Sequence, residues 1–242
     1  MEVIIHPKHL FALNKIKEFP FNRDKKEVVI KILMKGMVKD GVMRAPVVVK
    51  TKIITGKYEY YFVDGQHLSE AAKRLNITHL ECILFESEST SEIVNKMASL
   101  NNVGKKWTLF EYVNAFCGTG DENYFKLKNH AIVNGFSIAV SATILSGSAI
   151  SGQGCNKIKY GTFVANAVNS DIITQNLLDI SALVNTNSAK FHKAFLLFFK
   201  SIGNKYNHKK LIEKIKDNKK FVNLPHDTGF IYDLMHKTYN EK

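Results

Sequence analysis

The chain is 242 residues long and 45% hydrophobic, which is enough apolar material for one large core or two ordinary ones without disulfide cross-links. Its 34 Lys and Arg residues against 22 Asp and Glu give a formal net charge of +12, which favours polyanionic partners but equally fits an ordinary basic surface. Three widely spaced cysteines and the lack of any apolar run of about twenty residues exclude a disulfide scaffold and a membrane-spanning protein. We therefore expect a cytoplasmic protein with no export signal.

The first hundred residues alternate between helical and strand-like patterns. Asp24 and Glu27 have the spacing of a capping box ahead of a helical apolar stripe. A Gly56 turn separates two runs that are rich in β-branched and aromatic residues, which predicts adjacent strands. The predicted elements are a helix from 24 to 40, strands over 45–49 and 58–63, a helix over 68–75 and a strand over 79–85.

The remainder of the chain is almost entirely helical in pattern. A polar break at 101–106 precedes this part, and we place the domain boundary there, between residues 104 and 105. The sequence thus predicts an α+β chain, with an α/β domain over residues 1–104 and an all-helical domain over 105–242. Predicted helices cover 93–100, 108–116, 122–133, 137–145, 160–168, 171–184, 188–202, 209–216 and 227–239, with a Gly- and Ser-rich loop over 146–154.

A segment that reads Asp-Gly-Gln-His-Leu-Ser-Glu-Ala-Ala places a glycine turn between a strand and a helix. Gly65 allows the backbone to approach an anion, and the first N–H groups of the helix are available to bind it. His67 and Ser69 lie in the first turn, where an imidazole and a hydroxyl suit phosphate oxygens. Asp64 and Glu70 are the candidate catalytic residues, able to accept a proton or hold a metal. A structural alternative has Asp64 capping the helix, Glu70 interacting with its dipole and His67 on the surface.

Three landmarks resemble the ParB/sulfiredoxin superfamily. Asp64–His67, followed by a helix with Glu-Ala-Ala, is similar to that family's Asp-Gly-Gln-His-Arg element. Phe21–Arg23 resembles its Asn-(Pro)-Arg box. Gly41 with the strand at 45–49 resembles the family's Gly-x-x-x-Pro-Ile-x-Val segment, which leads into a strand. Because the landmarks fall in family order over residues 10–100, the N-terminal domain is identified as ParB/sulfiredoxin-like, of phage or plasmid type.

The resemblance implies a nucleotide pocket at the glycine turn, for ATP or CTP with Mg²⁺, in a bacterial or phage-infected cell. Leu68 departs from the family, which usually has an arginine here, and an apolar side chain supplies neither charge nor donors. Arg23 or Arg44 would compensate for that loss. Gln66 replaces the nucleophilic cysteine of sulfiredoxins, which disfavours their chemistry. The implied nucleotide-binding residues are Gly65, Gln66, His67, Ser69, Arg23 and Arg44, and by analogy we expect a homodimer.

The helical half has two candidate DNA-binding elements. Residues 127–146 fit a helix-turn-helix, with Ala131 at the helix contact and Gly135 in the turn, or else an ordinary helical hairpin. The second helix of this element lacks Arg, Lys, Asn and Gln to read bases. The lysine-rich segment 205–220 fits phosphate contact or a solvated helix face. Its candidate DNA-binding residues are Lys205, Lys209, Lys210, Lys214 and Lys216, with Lys219 and Lys220 following.

Three functions remain open from the sequence. The leading hypothesis is a ParB-like DNA-binding protein that responds to nucleotide. The second is an enzyme of the same fold, a nuclease or a nucleotide-dependent NTPase or kinase, in which Asp64, His67 and Glu70 provide the chemistry. The third is a non-catalytic phage interaction module that has lost the nucleotide, and Leu68 favours it. No metal site is predicted, because no firmly spaced ligand set is present.

Overall fold

The computed structural model describes residues 7–103, 107–147, 152–222, 224 and 227–241. It forms two compact units, Met1–Asp121 and Glu122–Lys242. The predicted boundary between residues 104 and 105 lies outside the described residues, and the division falls after the next helix, Leu109–Cys117. The end of that helix lies against the first unit, since a Cβ on Gly118 would overlap the ring of Phe21.

A five-stranded mixed sheet forms the centre of the first unit. Its order is β1-β5-β3-β4-β2, in which β3 is antiparallel to β4 and parallel to β5. The predicted hairpin and the strand after it are confirmed, whereas the two N-terminal strands were missed. The strands are β1 Lys8–Ala12, β2 Ile16–Glu18, β3 Val47–Thr51, β4 Glu59–Asp64 and β5 His79–Glu86.

Four helices accompany this sheet: α1 Glu27–Asp40, α2 Gln66–Arg74, α3 Thr90–Val103 and α4 Leu109–Cys117. Ala71 and Ala72 of α2 are fully buried with Val48 and Phe62 of the sheet and Ile30 of α1. Small side chains on α2 allow its backbone to approach the strands closely, so the start of α2 is held firmly against the end of β4.

The predicted capping residues have mixed outcomes. Thr108 and Glu111 form the predicted capping box of α4. Asp24 was predicted to cap α1, but that helix begins after Lys26, which has no side-chain cap. Instead, the Lys26 N–H donates to the Nε2 atom of His67 at 3.0 Å, so a residue from a distant turn replaces the local cap.

Seven α-helices are described in the second unit: α5 Glu122–Asn134, α6 Ile138–Ser146, α7 Gly152–Lys159, α8 Ser170–Leu183, α9 Ala189–Ile202, α10 His208–Lys216 and α11 Thr228–Asn240. The aromatic run of α9 forms the core, since Phe191, Phe195 and Phe198 are fully buried. The α+β prediction is therefore confirmed, with a mixed sheet followed by helices.

The predicted helix over 160–168 is wrong. Gly161 has a left-handed φ of +72° just after the end of α7, the N–H of Thr162 donates back to the carbonyl of Lys157, and residues 162–167 are not helical. Their backbone donors reach neighbouring elements instead: the N–H of Ala165 donates to the Asn123 side chain and that of Ala167 to the carbonyl of Leu145. The predicted loop over 146–154 lies partly outside the described residues, and α7 begins within it at Gly152.

Candidate functional site

The turn between β4 and α2 requires glycine for a packing reason. Gly65 has a φ of +92° and is the N-cap of α2. A Cβ at this position would lie 2.8 Å from the Cβ of Pro46, closer than carbon atoms can approach. The sequence predicted a close approach here by a ligand, which stays a prediction; within the protein, Pro46 before β3 makes the closest approach.

A cavity of about 440 Å³ opens beside this turn within the first unit. Five predicted nucleotide-binding residues line it, although they come from three separate segments of the chain: Arg23, Arg44, Gly65, Gln66 and His67. Ser69, the sixth, is buried and is not among the lining residues. A volume of this size suits a small organic ligand.

Asn22 positions the first of these segments. Its side-chain amide donates to the carbonyl of Phe62 in β4 at 2.6 Å, and its backbone N–H donates to the carbonyl of Phe19. These bonds fix the chain against β4 just before Arg23, which is thereby placed at the cavity. The Phe21–Arg23 box noted in the sequence is thus a tether between a loop and the sheet.

His67 is buried, with 8% of its surface exposed, so the alternative that placed it on the surface is wrong. Its Nε2 atom accepts the N–H of Lys26, which leaves the proton of the neutral ring on Nδ1. His67 therefore joins the start of α1 to the start of α2 while also lining the cavity. This structural role is one that the sequence pattern did not indicate.

Asp64 pairs with Arg44 across the mouth of the cavity. The Arg44 guanidinium lies 2.5 Å from the carboxylate, whose side chain is 15% exposed against 62% for Arg44. Asp64 does not cap α2, since the N-cap is Gly65 and the carboxylate of Asp64 accepts from Arg44 instead. The charge of Arg44 is therefore already balanced by a neighbour within the site.

Glu70 belongs to a separate ion-pair cluster and is not among the cavity-lining residues. Its carboxylate binds Lys25 at 3.2 Å and Arg74 at 3.0 Å, and these two cations also contact Glu18 and Glu27. Hydrogen bonds from Lys25 and then Arg74 hold the pKa of Glu70 below its ordinary value. A carboxylate stabilised in its charged form is a weak base, so these contacts give Glu70 a structural role, and its predicted catalytic role stays a prediction.

One wall of the cavity is apolar and was not recognised from the sequence. Val29, Ile32, Leu33 and Met37 of α1 line it, together with Leu68 of α2. The α1 residues recur at three- and four-residue intervals, so they share one helix face, and this spacing was the signal available in the sequence. Leu68 also packs against the core of the first unit, which explains why an apolar residue is tolerated there.

The second unit presents the lysine surface, defined as Lys205, Lys209, Lys210, Lys214, Lys216, Lys219 and Lys220. All seven are exposed except Lys214, which is partly exposed. Across the described ranges, none of them lies within 4.0 Å of a carboxylate. The positive charge of this surface is therefore not neutralised by carboxylates, and Lys210 packs its ammonium over the Tyr239 ring, 4.4 Å from the ring centre.

Hydrogen bonds from polar side chains hold the backbone of the lysine surface in place. The Tyr239 hydroxyl donates to the carbonyl of Lys205 and accepts the N–H of Asn207. Asn207 caps α10, and Asn218 caps the short 3-10 turn Lys219–Phe221. The lysines thus extend from a fixed backbone.

The helix pair α5 and α6 has the predicted turn at Gly135, whose φ is +65°. However, α6 has no fully exposed residue, and Val140 and Ile144 belong to the core of the second unit. A helix buried in this way offers no side chains to a major groove. We therefore do not assign base contacts to α6, and the helical-hairpin alternative accounts for its burial.

Two further properties concern the described part of the chain. No helix there is long and apolar enough to cross a membrane. Nor do three or more His, Cys, Asp or Glu side chains in that part come together to hold a metal ion.

Comparisons with known proteins give structural similarity alone. No protein-family model matches the chain, and no curated protein does. The fold is similar to the Pnob8-like ParB-N domain, with 11% identity, a TM-score of 0.45 and coverage of 99% of this chain and 100% of that one. It is also similar to C-terminally truncated ParB from Caulobacter crescentus complexed with CTP-gamma-S, with 12% identity, a TM-score of 0.36 and coverage of 96% and 98%.

Proposed function

We propose that this chain is a ParB-type DNA-binding protein whose first unit binds a nucleotide in the cavity beside Gly65. The main support is that residues selected from three separated motifs line one cavity of suitable size. Motifs that are far apart in sequence but meet at one cavity are better evidence for a binding site than any single motif.

The polar side of the cavity suits a phosphate group. Arg23 and Arg44 line it, and the N-terminus of α2 supplies backbone N–H groups next to them. ATP and CTP, with Mg²⁺ as counterion, are the nucleotides to test first. The buried Gln66 adds a hydrogen-bonding amide to the same side.

The lysine surface is the proposed DNA contact. None of its lysines lies within 4.0 Å of a carboxylate in the described part of the chain, and they extend from a capped helix and a capped 3-10 turn. Such a surface binds the phosphate backbone without reading sequence, so its affinity should fall steeply with salt.

The second candidate is a non-catalytic interaction module, favoured by the apolar wall of the cavity. Ile32 and Met43 line the cavity and are 64% and 84% exposed, which is unusual for large apolar side chains. In this reading an apolar partner or ligand occupies the site and no nucleotide binds.

Calorimetric titration of the full chain with ATP, CTP and their diphosphates, with Mg²⁺ and with or without duplex DNA, tests the proposal. The double variant Arg23→Gln/Arg44→Gln should lower nucleotide affinity at least about tenfold, since it removes the charge that Arg23 offers a phosphate and leaves the carboxylate of Asp64 beside the site without its cation. Arg74→Gln is the matched control, because Arg74 pairs with Glu27 and Glu70 and is not among the cavity-lining residues. Absence of binding at millimolar nucleotide, or equal losses in both variants, would select the interaction module.

A further inference from the structure

The chain between α7 and α8 has the geometry of a β-strand that no other strand accompanies in the described part of the chain. Residues 162–167 contain no turn or bend, and exposed and covered side chains alternate over 162–168, which we call the extended segment. Phe163 is buried, whereas Val164 and Val168 are 50% and 96% exposed. Alternation with a period of two residues in a straight chain is typical of a strand with one covered face.

One edge of the extended segment is bonded to the second unit. The N–H of Ala165 donates to a side chain of α5 at 3.0 Å, and the N–H of Ala167 donates to a carbonyl of α6 at 2.9 Å. Because the backbone groups of successive residues in a strand point to opposite edges, those of Val164, Asn166 and Val168 point to the outer edge. No hydrogen bond joins the backbone of these three to another described residue.

The sequence of the outer edge suits pairing with a second copy of itself. Residues 164–168 read Val-Ala-Asn-Ala-Val, which is the same in both directions. When two copies pair antiparallel about Asn166, this residue lies opposite its own copy, and Val164 lies opposite Val168 of the second copy. Every cross-strand pair then joins two valines, two alanines or two asparagines, so that apolar groups meet apolar groups and amides meet amides.

The distribution of charge also favours a second copy as the occupant. With a formal net charge of +12, two copies repel each other, so they can associate most easily through an uncharged surface. Residues 160–170 contain no charged side chain, and Tyr160 and Ile172 on either side are also exposed apolar residues. Exposed strand edges are usually protected by lysine or proline, and residues 160–170 contain neither.

We propose that two copies of this chain associate through the outer edge of the extended segment, in an antiparallel strand pair centred on Asn166. The backbone groups of the outer edge in one copy bond to those of the other, and the paired valines remove apolar surface from water. This association requires neither nucleotide nor DNA and is independent of the proposed function.

Sedimentation velocity of the full chain, freed of nucleic acid, tests the association. The contact is small, so we expect a weak dimer with a Kd on the order of 10 to 100 µM. Val164→Lys and Val168→Glu should each weaken it at least about tenfold, because each variant places a charge opposite a valine. Val133→Lys is the matched control, since Val133 is an exposed valine of α5 outside the extended segment, and it should leave the Kd unchanged.

Mixing the two weakened variants tests the register. In a mixed dimer the introduced lysine faces the introduced glutamate, and the other valine pair is intact. An equimolar mixture of Val164→Lys and Val168→Glu should therefore associate within about threefold of the wild type, although neither variant does so alone. Helical circular dichroism shows whether each variant is folded.

Cysteine cross-linking measures the same register directly. Asn166→Cys should form a disulfide between copies on mild oxidation, because residues that exchange both hydrogen bonds have Cα atoms about 5.5 Å apart. Val164→Cys is the control on the same edge, since its two copies would lie about 14 Å apart and cannot join. The wild type, in which Cys155 is partly exposed, sets the background.

Three results would overturn the proposal. The first is a wild-type chain that stays monomeric at about 0.5 mM, which would leave the outer edge to a strand of another protein. The second is a dimer that Val164→Lys and Val168→Glu weaken no more than Val133→Lys does. The third is equal cross-linking of Asn166→Cys and Val164→Cys, since the pairing would then lack the predicted register.

Discussion

The two units of the molecule use their charges in opposite ways. The first unit contains eighteen basic and fourteen acidic residues, and the second contains sixteen lysines against eight carboxylate side chains. Nine pairs of Lys or Arg with a carboxylate lie between described residues of the first unit. In the second unit, His208 pairs with Asp179, while none of the seven lysines of the lysine surface lies within 4.0 Å of a carboxylate among the described residues.

This difference shows that total charge is a poor guide to partners. The first unit has many cations, but they face glutamates across strands or between helices, as Lys17 faces Glu59 and Lys50 faces Glu86. Such exposed pairs contribute little stability, yet they reduce the field that a polyanion would experience. The second unit has fewer carboxylates, so its field is directed outward.

The largest expected effect concerns DNA. Replacing Lys209, Lys210, Lys216 and Lys220 together by glutamine should weaken binding to a labelled duplex of about 30 base pairs by roughly 1000-fold at about 0.1 M salt. Each lost phosphate contact lowers the slope of log affinity against log salt by about 0.9. At about 0.1 M salt, this change in slope corresponds to a loss of affinity of nearly tenfold for each contact. Fluorescence anisotropy across a salt series would measure both the affinity and the slope.

The control variant changes the same number of charges in the first unit. Lys8, Lys17, Lys50 and Lys52 are each paired with a glutamate, so replacing them by glutamine should weaken DNA binding by much less, about tenfold or under. Equal losses in the two quadruple variants would mean that net charge, rather than the lysine surface, governs binding, and the contrast between the units would then have no functional meaning.

The second prediction tests whether the turn of the first unit is set by packing. Gly65→Ala should lower the free energy of unfolding by about 3 kcal/mol, because the new Cβ meets Pro46 and the backbone has a positive φ. Gly56→Ala should cost only about 1 kcal/mol, since Gly56 has a φ of +76° but nothing within 4 Å of its Cβ. Urea unfolding followed by Trp107 fluorescence reports on this unit, and similar losses in the two variants would show that backbone strain alone requires the glycine.

Local patterns predicted most of the fold. Periodicity and caps located β3, β4, α2, β5 and nearly all of the later helices, because those signals depend on neighbours in sequence. The failures occurred where a distant group decided the outcome. The N–H of Lys26 is capped by His67, and the backbone of Ala165 is bound by Asn123, so neither result could be predicted from adjacent residues.

The candidate site was predicted only in part, because only some of its residues lie in local sequence motifs. Gly65, Gln66 and His67 are contiguous and Arg23 and Arg44 belong to recognisable motifs, so sequence reasoning found them. The apolar wall from α1 was missed, because its spacing is also what a core helix shows. The pairing of Asp64 with Arg44 depends on tertiary contact and had no signal in the sequence.

The smallest expected effect compares the acid sensitivity of the two units. Burial lowers the pKa of His192 in α9 and of His130 in α5, so both resist protonation in the folded second unit. A depressed histidine pKa means that the unfolded chain takes up the proton first, so stability falls as pH drops through the ordinary value of 6.5. In the first unit, cations hold the pKa of Glu59 at about 2 and lower that of Glu70, and the stability from those pairs is lost only as pH falls below the ordinary value of 4.5.

His192→Leu isolates one of these histidines. Both ring nitrogens of His192 are buried without hydrogen-bond partners in the described part of the chain, and the ring packs on Phe136 with centroids 4.9 Å apart. The wild type should lose up to about 1.4 kcal/mol more than the variant between pH 7.5 and pH 5.5, because one pH unit below the ordinary pKa corresponds to that free energy. Helical circular dichroism, to which the second unit contributes most, should show this loss, while Trp107 fluorescence from the first unit should not.

His9→Leu, at an exposed position of β1, should leave both profiles unchanged. A Trp107 signal that follows the same pH dependence would mean that the two units unfold as one, and the contrast in their charges would then have no counterpart in stability.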